Sequence, residues 1–383
     1  MQTDEPAADV PTGNNNKDIY EKRRNLIADG CKSISKENYA STSVRNNIKI
    51  DPVHNIRYCP IPKIGTTFWV RALTVLSSNG RLKSPFEIGR GNEDLLYWRN
   101  LPDDKKAHYL ASGQSFIFVR DPYSRLYSGY EDKLFHVNLG FWQSLGLRIV
   151  RERVGTNSED LMYGHDVTFP EFVKFILKQN DDNSSINVHF RPMHLLCDPC
   201  RFQYDFVGYL ETFSQDANFL LTKWHKEFND FTLDIGQFEK EAAIDTAKKK
   251  VKTVFSAKKI CSDIKVPFKY LLMKTWRDLQ IRGYLSKNVN FPYQGDVDNV
   301  TPNEFLDAIV KGLEQDQNWA AIKLQRNEAL IQAYRQVPLE DMERLKQFFH
   351  RDCLLFGYDD RPETLFDRTK PLEHDFLYFE DFL

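Results

Sequence analysis

The sequence of 383 residues predicts an α/β protein in which a central parallel sheet is flanked by helices. Strand-like runs at 56–59, 115–119 and 205–210 alternate with helix-like segments, which is typical of a parallel sheet covered on both faces. A content of 41% hydrophobic and 13% aromatic residues is enough for a substantial core. The predicted helices are 67–78, 123–135, 169–179, 215–228, 242–259, 302–319 and 339–349.

The first strand-like run leads into a turn that is suited to bind an oxyanion. Two prolines end the run, and Lys63, Gly65, Thr66 and Thr67 follow before an apolar helix-like segment. Such a turn aims unpaired N–H groups and the positive end of a helix dipole at one point, while the lysine adds a mobile charge. The residue order of a Walker loop is absent, which disfavours a metal-nucleotide kinase. Taken alone, the pattern also fits an ordinary strand-to-helix turn capped by threonine.

The second strand-like run carries an arginine at its carboxyl end. Arg120 follows the run, Pro122 suits the first turn of a helix, and Ser128 falls about two turns into that helix. A guanidinium and a hydroxyl can hold a phosphate, and ligands of open parallel sheets bind beyond the carboxyl ends of the strands. The two turns together predict two pockets that hold opposite ends of one nucleotide. Asp121 and Arg125 by themselves would also fit a surface ion pair.

These motifs resemble those of a known family. The segment 62–69 is similar to the 5′-phosphosulfate loop of sulfotransferases, and 120–128 is similar to their 3′-phosphate motif. The blocks 189–200 and 204–211 resemble the Golgi carbohydrate sulfotransferases that act on chondroitin, dermatan and related glycans. The resemblance implies the three-layer sulfotransferase fold, which is similar to that of P-loop kinases, and transfer of a sulfuryl group to a sugar hydroxyl.

The resemblance also implies a donor and a set of site residues. The donor would be 3′-phosphoadenosine-5′-phosphosulfate (PAPS), and its product would be 3′-phosphoadenosine-5′-phosphate (PAP). The residues assigned to donor binding are Pro62, Lys63, Ile64, Gly65, Thr66, Thr67, Phe68, Arg120 and Ser128. No metal-ligand cluster is evident in the sequence, and the reaction requires none.

Three residues are candidates for catalysis. Lys63 is expected to stabilise the leaving oxygen, because transition-state stabilisation must be aimed where charge develops. His189 is the first choice for the general base that takes the acceptor proton, although a buried histidine that only holds its loop fits equally well. Glu87, in the loop after the first predicted helix, is the second choice, since heparan sulfotransferases use a glutamate from a comparable region.

The sequence departs from the family pattern at three places. Gly65–Thr66–Thr67 stands where chondroitin-type members carry a small residue, cysteine and threonine, which is closer to the cytosolic sulfotransferases. Phe190 replaces the usual tryptophan, and 229–300 is longer and more lysine-rich than the family leads us to expect. The acceptor is therefore left open.

The predicted organisation is a disordered lead-in over 1–17, one catalytic domain over 18–360 with a divergent helical insertion at 229–300, and a tail over 361–383. No apolar run is long enough to cross a bilayer. Family members usually carry an amino-terminal membrane anchor, so we expect a truncated chain, an incomplete gene prediction or a soluble variant. Membrane attachment would require an anchor that this chain lacks.

The net charge and the cysteine content limit the possible binding partners and the possible cellular compartments. A net charge of −2 argues against a general nucleic-acid binder. The lysine-rich stretch 248–259 is interpreted as a solvated helix face, with an acidic glycan as the alternative partner. Six cysteines and the sequons at Asn183 and Asn299 fit a Golgi-lumenal protein, with disulfide pairing undetermined. The acceptor is expected to be a chondroitin-like, dermatan-like or glucuronate-terminated glycan.

Three further functions compete with a carbohydrate sulfotransferase. A phosphotransferase with an unusual loop would need magnesium and ATP. A non-catalytic relative would bind nucleotide or glycan without turnover. A cytosolic sulfotransferase for small molecules is disfavoured by the Cys-x-Pro-Cys block and the sequons.

Overall fold

The computed structural model describes residues 13–34, 47–78, 80–88, 95–154, 163–228, 238–316, 318–372 and 374–380. The chain divides into two compact units. The first, called the sheet unit, comprises Met1–Asp121, Arg191–Leu233 and His350–Tyr358, and the second, called the helical unit, comprises Pro122–Phe190, Asp234–Phe349 and Asp359–Leu383. The first 12 residues of the predicted disordered lead-in lie outside the described residues, and helix α1 begins at Gly13.

The sheet unit contains a mixed five-stranded sheet. Its strands are β1 Lys49–Asp51, β2 Ile56–Tyr58, β3 Leu96–Tyr97, β4 Gln114–Val119 and β5 Phe206–Tyr209. Their order is β3-β1-β2-β4-β5, in which β2, β4 and β5 run parallel while β1 and β3 pair antiparallel at one edge. The predicted parallel strands are confirmed within one residue at each end. The two antiparallel strands, which are three and two residues long, were not predicted.

Twelve helices of eight or more residues are described. They are α1 Gly13–Lys32, α2 Thr66–Ser77, α3 Asp103–Ala111, α4 Pro122–Tyr130, α5 Leu147–Val154, α6 Phe169–Asp181, α7 Phe213–Phe228, α8 Phe238–Asp263, α9 Phe268–Ile281, α10 Pro302–Gln315, α11 Trp319–Arg335 and α12 Leu339–Phe356. Shorter helical turns are Pro85–Glu87, Trp98–Asn100, Leu139–Phe141, His194–Cys197 and Glu363–Phe366, and π-helical turns are Glu131–Phe135 and Trp142–Gly146.

Most predicted helices are confirmed with shifted ends, and two predictions need correction. The segment predicted as one helix over 302–319 is two helices, because α10 ends at Gln315 and the Asn318 side chain caps the start of α11. The helix predicted over 123–135 is α-helical only to Tyr130 and continues as a π-helical turn. Helices α1, α3, α5, α9 and most of α11 were not predicted.

Aromatic side chains build the core of the sheet unit. Trp69 of α2 packs against Phe116 and Phe118 of β4, with ring centroids 5.0 and 4.7 Å apart. Trp224 of α7 lies 5.4 Å from Phe116, measured between the ring centroids. Phe116 and Phe118 share one face of the sheet because they are two residues apart on a strand. This packing fixes α2, and therefore the turn in front of it, against the parallel strands.

Two disulfides cross-link the sheet unit. Cys31 of α1 is bonded to Cys200, and Cys59 at the end of β2 is bonded to Cys197. The sequence left this pairing open, and the structure assigns both members of the Cys-x-x-Cys pair to different partners. Cys59 is four residues before Lys63, so its disulfide anchors the chain that leads into the first turn.

The helical unit has a separate apolar core around α8, α9 and α10. Its buried members include Val254, Leu271, Trp276, Phe305 and Ile309. The described part of the segment predicted as a divergent insertion, 238–300, thus contributes two helices to this core. The predicted domain boundaries remain a prediction.

A buried group of charged side chains, here called the ionic cluster, also lies in the helical unit. It consists of Glu131, Lys250, Asp278 and Arg282, each buried or nearly so. Lys250 contacts the Asp278 carboxylate, and Arg282 contacts both Glu131 and Asp278. The interpretation of 248–259 as a solvated face is therefore wrong at Lys250, which points inward because Asp278 supplies a buried counter-charge.

Candidate functional site

The turn after β2 contains two residues with a left-handed backbone conformation. Lys63 has φ 72° and Gly65 has φ 64°, and Gly65 directly precedes helix α2. A left-handed conformation costs glycine little but strains lysine, so the loop holds Lys63 in an unusual conformation. The amino terminus of the twelve-residue α2 adds unpaired N–H groups and the positive end of its dipole. The loop therefore presents several backbone N–H donors at the start of α2, with Lys63 two residues before Gly65.

The remaining loop residues have distinct surroundings. The Thr66 hydroxyl donates a hydrogen bond to the Ile61 carbonyl at 2.5 Å, so this side chain closes the loop. The Thr67 side chain is exposed, and Ile64 is fully buried. The Phe68 ring packs edge-on against Phe213, with centroids 5.1 Å apart. Anchors on both sides thus hold the backbone of the loop.

Arg120 brings the second motif to this loop within the sheet unit. It follows the last residue of β4 and is 6% exposed. Its Nη1 donates a hydrogen bond to the Lys63 carbonyl at 3.2 Å. Strands β2 and β4 are parallel neighbours, so their carboxyl ends meet at the same edge of the sheet. The structure therefore joins Lys63 and Arg120, which are 57 residues apart in sequence.

Two residues brace the chain that follows Arg120. The Glu211 carboxylate accepts the Asp121 backbone N–H at 2.8 Å and the Tyr358 hydroxyl at 2.9 Å. Burial, followed by the nearby Glu211 charge, raises the pKa of Tyr358 well above its usual range, which keeps the hydroxyl a donor. Glu211 belongs to the block 204–211 that carries the family resemblance, but neither Glu211 nor Tyr358 was assigned a role from the sequence. Only the fold brings them together.

Ser128 lies on α4 in the helical unit. It is 5% exposed. The helix is held against the chain at 188–190, because Arg125 Nη2 donates to the Val188 carbonyl at 3.2 Å. Gly129 permits this approach, since a Cβ there would lie 2.9 Å from the Phe190 ring and 3.1 Å from the His189 carbonyl oxygen. The helical unit thus brings the helix of Ser128 next to His189.

The hydrogen bonds of His189 assign its protonated nitrogen. Asn187 Oδ1 accepts the His189 backbone N–H at 3.0 Å and lies 2.7 Å from His189 Nδ1. Because a backbone N–H can only donate, the Asn187 atom is an acceptor and Nδ1 carries the ring proton. In the neutral ring Nε2 is therefore the basic nitrogen. Glu87, the alternative base, is an exposed residue in the turn Pro85–Glu87 of the sheet unit.

A second oriented histidine was not assigned a role from the sequence. His194 Nδ1 lies 2.7 Å from Asp352 Oδ1, and the same carboxylate accepts the backbone N–H groups of Met193 and His194. Asp352 is 1% exposed. The Asp352 carboxylate thus fixes the chain at 193–194, inside the block 189–200 that carries the family resemblance. Among the described residues, no group of three His, Cys, Asp or Glu side chains could hold a metal ion.

Comparison with known proteins identifies the family. A profile of the sulfotransferase family matches residues 46–259, which is more than half of the chain, so the chain belongs to this family. It is 32% identical over 216 residues to carbohydrate sulfotransferase 11 of Rattus norvegicus, covering 53% of this chain and 61% of the relative. It is 32% identical over 181 residues to carbohydrate sulfotransferase 14 of Danio rerio, covering 46% of this chain and 48% of the relative. It is 31% identical over 215 residues to carbohydrate sulfotransferase 9 of Homo sapiens, covering 54% of this chain and 47% of the relative.

The matches cover about half to three fifths of the length of these relatives. No solved structure matches the chain significantly. Within the described ranges, no helix is both long enough and apolar enough to span a membrane. Family membership and the α/β fold with its parallel strands agree with the fold class predicted from the sequence.

Proposed function

We propose that this protein is a carbohydrate O-sulfotransferase that moves a sulfuryl group from PAPS to a sugar hydroxyl of a glycosaminoglycan or glycoprotein glycan. The observation that carries the proposal is the hydrogen bond from Arg120 to the Lys63 carbonyl, beside a loop with two left-handed residues and a helix amino terminus. Such a combination of backbone donors and cations suits a nucleotide that carries an anionic group at each end. The names of the relatives support a carbohydrate acceptor.

The donor supplies the sulfuryl group, and the chain supplies charge stabilisation. We assign the 5′ end of the donor to the loop 62–68 and the 3′-phosphate to Arg120 and Ser128. As the bond to sulfur breaks, negative charge grows on the leaving oxygen, and the Lys63 ammonium would stabilise it most in that state. Thr66 keeps its hydroxyl on the Ile61 carbonyl and acts on loop shape, which leaves the loop N–H groups and Thr67 as further donors.

The acceptor hydroxyl must lose its proton, and we assign this step to His189 Nε2. The Asn187 hydrogen bond fixes Nδ1 as the protonated nitrogen, which supports this role. Glu87 is the alternative base, and its exposure keeps it available to a large acceptor. The proton passes from the hydroxyl to the base, and the hydroxyl oxygen forms the new bond to sulfur.

The sequence supports a more specific proposal for the acceptor glycan and for the cellular compartment. We propose a chondroitin-like, dermatan-like or glucuronate-terminated glycan as acceptor and the Golgi lumen as the location. The two disulfides of the sheet unit support an oxidising compartment. Asn183 and Asn299 of the sequons are both exposed, as glycosylation requires.

A transfer assay tests the proposal. The protein would be incubated with sulfur-labelled PAPS and a panel of desulfated chondroitin, dermatan, heparan and glucuronate-terminated glycans. We expect label on at least one glycan, and a decrease of about 100- to 1000-fold in turnover for Lys63→Ala, because one preorganised donor at a developing charge has that value. Lys105→Ala, at an exposed lysine of α3, is the matched control. Tight PAP binding without transfer to any glycan would contradict the proposal and favour a non-catalytic relative.

The two candidate bases are separated by a second comparison. His189→Gln should lower turnover about 100-fold or more at neutral pH, whereas Glu87→Gln should leave turnover within about threefold. Both variants should bind PAP as the wild type does. If Glu87→Gln loses turnover and His189→Gln does not, the base is Glu87.

A further inference from the structure

A cavity of about 450 Å³ in the sheet unit is not used by the transfer site. It lies over the face of the sheet that carries Arg57, Cys59 and Ser115, and the chain 201–205 forms another of its walls. Its size falls in the range of small-ligand sites rather than that of a single bound water. Arg57 is six residues before Lys63, so the two Cα atoms are at most about 20 Å apart.

The wall of the cavity carries a cation with unmet hydrogen-bonding capacity. The Nε atom of Arg57 is buried and has no hydrogen-bond partner among the described residues. A buried donor without a partner is destabilising, and more so when the group is charged. Burial lowers the pKa of Arg57, and Asp205 and Tyr204 oppose this effect. The site therefore favours a ligand that brings an acceptor with negative charge.

The remaining lining suits a sugar. Arg201, whose Nε also pairs with the Asp198 carboxylate at 3.4 Å, supplies a second guanidinium, and Asp205 is the single carboxylate among the described lining residues. That carboxylate is already engaged, because its Oδ2 accepts the Ser115 backbone N–H and hydroxyl at 2.7 Å each. Trp98 and Phe202 contribute aromatic surface. Two guanidinium groups beside aromatic rings match an anionic group carried on a ring with apolar C–H faces.

We propose that this cavity, here called the Arg57 cavity, binds an acidic sugar of the acceptor chain, with Arg57 and Arg201 holding its carboxylate or sulfate group. The inference rests on the proposed function, because it assumes an acidic glycan as acceptor. It adds a second contact point for that glycan, separate from the residues that hold the donor. The subsite would select polyanionic chains over neutral glycans and would act on binding rather than on the transfer step.

A binding experiment without turnover tests the subsite. The full chain would be titrated calorimetrically with a chondroitin hexasaccharide and with the same hexasaccharide after reduction of its uronate carboxyl groups. We expect the wild type to bind the acidic form about tenfold more tightly or better, and we expect Arg57→Gln and Arg201→Gln each to lose most of this preference. The control Arg326→Gln, at an exposed arginine of α11, should keep it.

The sulfated form of the carboxyl-reduced hexasaccharide separates the two anionic groups. If the sulfated, carboxyl-reduced hexasaccharide binds tightly and this binding depends on Arg57, the cavity holds a sulfate group. If only the hexasaccharide with intact uronates binds tightly, the cavity holds a carboxylate. Unchanged affinity for PAP shows that a variant is folded. If Arg57→Gln is unstable, the preference of Arg201→Gln for the acidic hexasaccharide tests the proposal. Preference for acidic chains that survives in both variants would overturn the proposal. Because no transfer is measured, this result is independent of whether the transfer assay succeeds.

Discussion

The two units of this protein use different means to hold polar and charged groups in place. The sheet unit is cross-linked by disulfides that span 169 and 138 residues of sequence, and its core is largely aromatic. The helical unit keeps charged side chains from three separate segments inside its fold in the ionic cluster. The integrity of the first region therefore depends on the redox state, and that of the second depends on protonation.

The largest expected effect comes from the disulfides. Cys59→Ser with Cys197→Ser should lower the free energy of unfolding by about 2–5 kcal/mol, because the cross-link restricts a long loop of the unfolded chain. Hydrogen exchange would show faster opening of β2, β4 and β5, while the helices of the helical unit keep their protection. Cys261→Ala, at a buried thiol of the helical unit, is the control. Equal loss of protection in both units would contradict the claim that the disulfides stabilise the sheet unit alone.

The ionic cluster gives an effect of similar size in the other unit. Asp278→Asn should cost about 3–5 kcal/mol, because Lys250 and Arg282 would then be buried without the counter-charge they share. Asp307→Asn, at an exposed residue of α10, should change stability by less than about 0.5 kcal/mol. Chemical denaturation measures both. A cost for Asp278→Asn no larger than that of the control would show that the cluster is solvated.

The smallest effect is a pH dependence that Glu131 confers on the helical unit. Burial raises the pKa of Glu131 to about 8 in spite of Arg282, and the adjacent Asp278, for which burial is outweighed by Lys250 and Arg282, keeps a pKa below its usual range. The carboxyl pair therefore holds one proton at neutral pH. Stability from Glu131 is complete below its ordinary pKa of 4.5 and is lost as the pH rises through about 8.

Comparison with Glu131→Gln isolates this dependence from other titrating groups. Burial lowers the pKa of His136 to about 3, so His136 makes stability depend on pH below pH 6.5. Burial lowers the pKa of Lys274 to about 7, so Lys274 makes stability depend on pH above pH 7. The unfolding free energy of the wild type minus that of Glu131→Gln should fall by about 1 kcal/mol per pH unit between pH 5 and 8. A difference that stays constant or rises over this range would mean that Glu131 is ionised in the folded protein.

The contrast between the units also explains what the sequence could predict. The turn at Lys63 and the arginine after β4 each belong to a short continuous segment of sequence, in which a strand, a turn and a helix follow one another. The ionic cluster draws its members from positions 131, 250, 278 and 282, and no local pattern distinguishes a buried lysine in a lysine-rich helix from its exposed neighbours. Glu211 was likewise visible as a motif residue, but its hydrogen bonds with the Asp121 N–H and the Tyr358 hydroxyl arise only from the fold.

Disulfide pairing shows the same limit. Six cysteines allow many pairings, and only the packing of α1 and β2 near 197–200 selects Cys31–Cys200 and Cys59–Cys197. Strand β2 is as short as β1, but β2 could be predicted because the prolines and the turn at Lys63 follow it, whereas β1 and β3 were not predicted. The motifs that we propose for donor binding could be recognised in the sequence because each occupies consecutive residues, whereas cores and cross-links join residues that are far apart in sequence.

The central claim is that the Lys63 loop and the Arg120–Ser128 motif bind one donor nucleotide. Its most direct test is a titration of wild type, Lys63→Ala and Ser128→Ala with PAP and with adenosine 5′-phosphate, which lacks the 3′-phosphate. We predict that the wild type prefers PAP by about tenfold or more, that Ser128→Ala loses most of this preference, and that Lys63→Ala and the exposed-site control Ser144→Ala retain it. A wild type that binds both nucleotides equally, or a Ser128→Ala variant with undiminished preference, would contradict the claim.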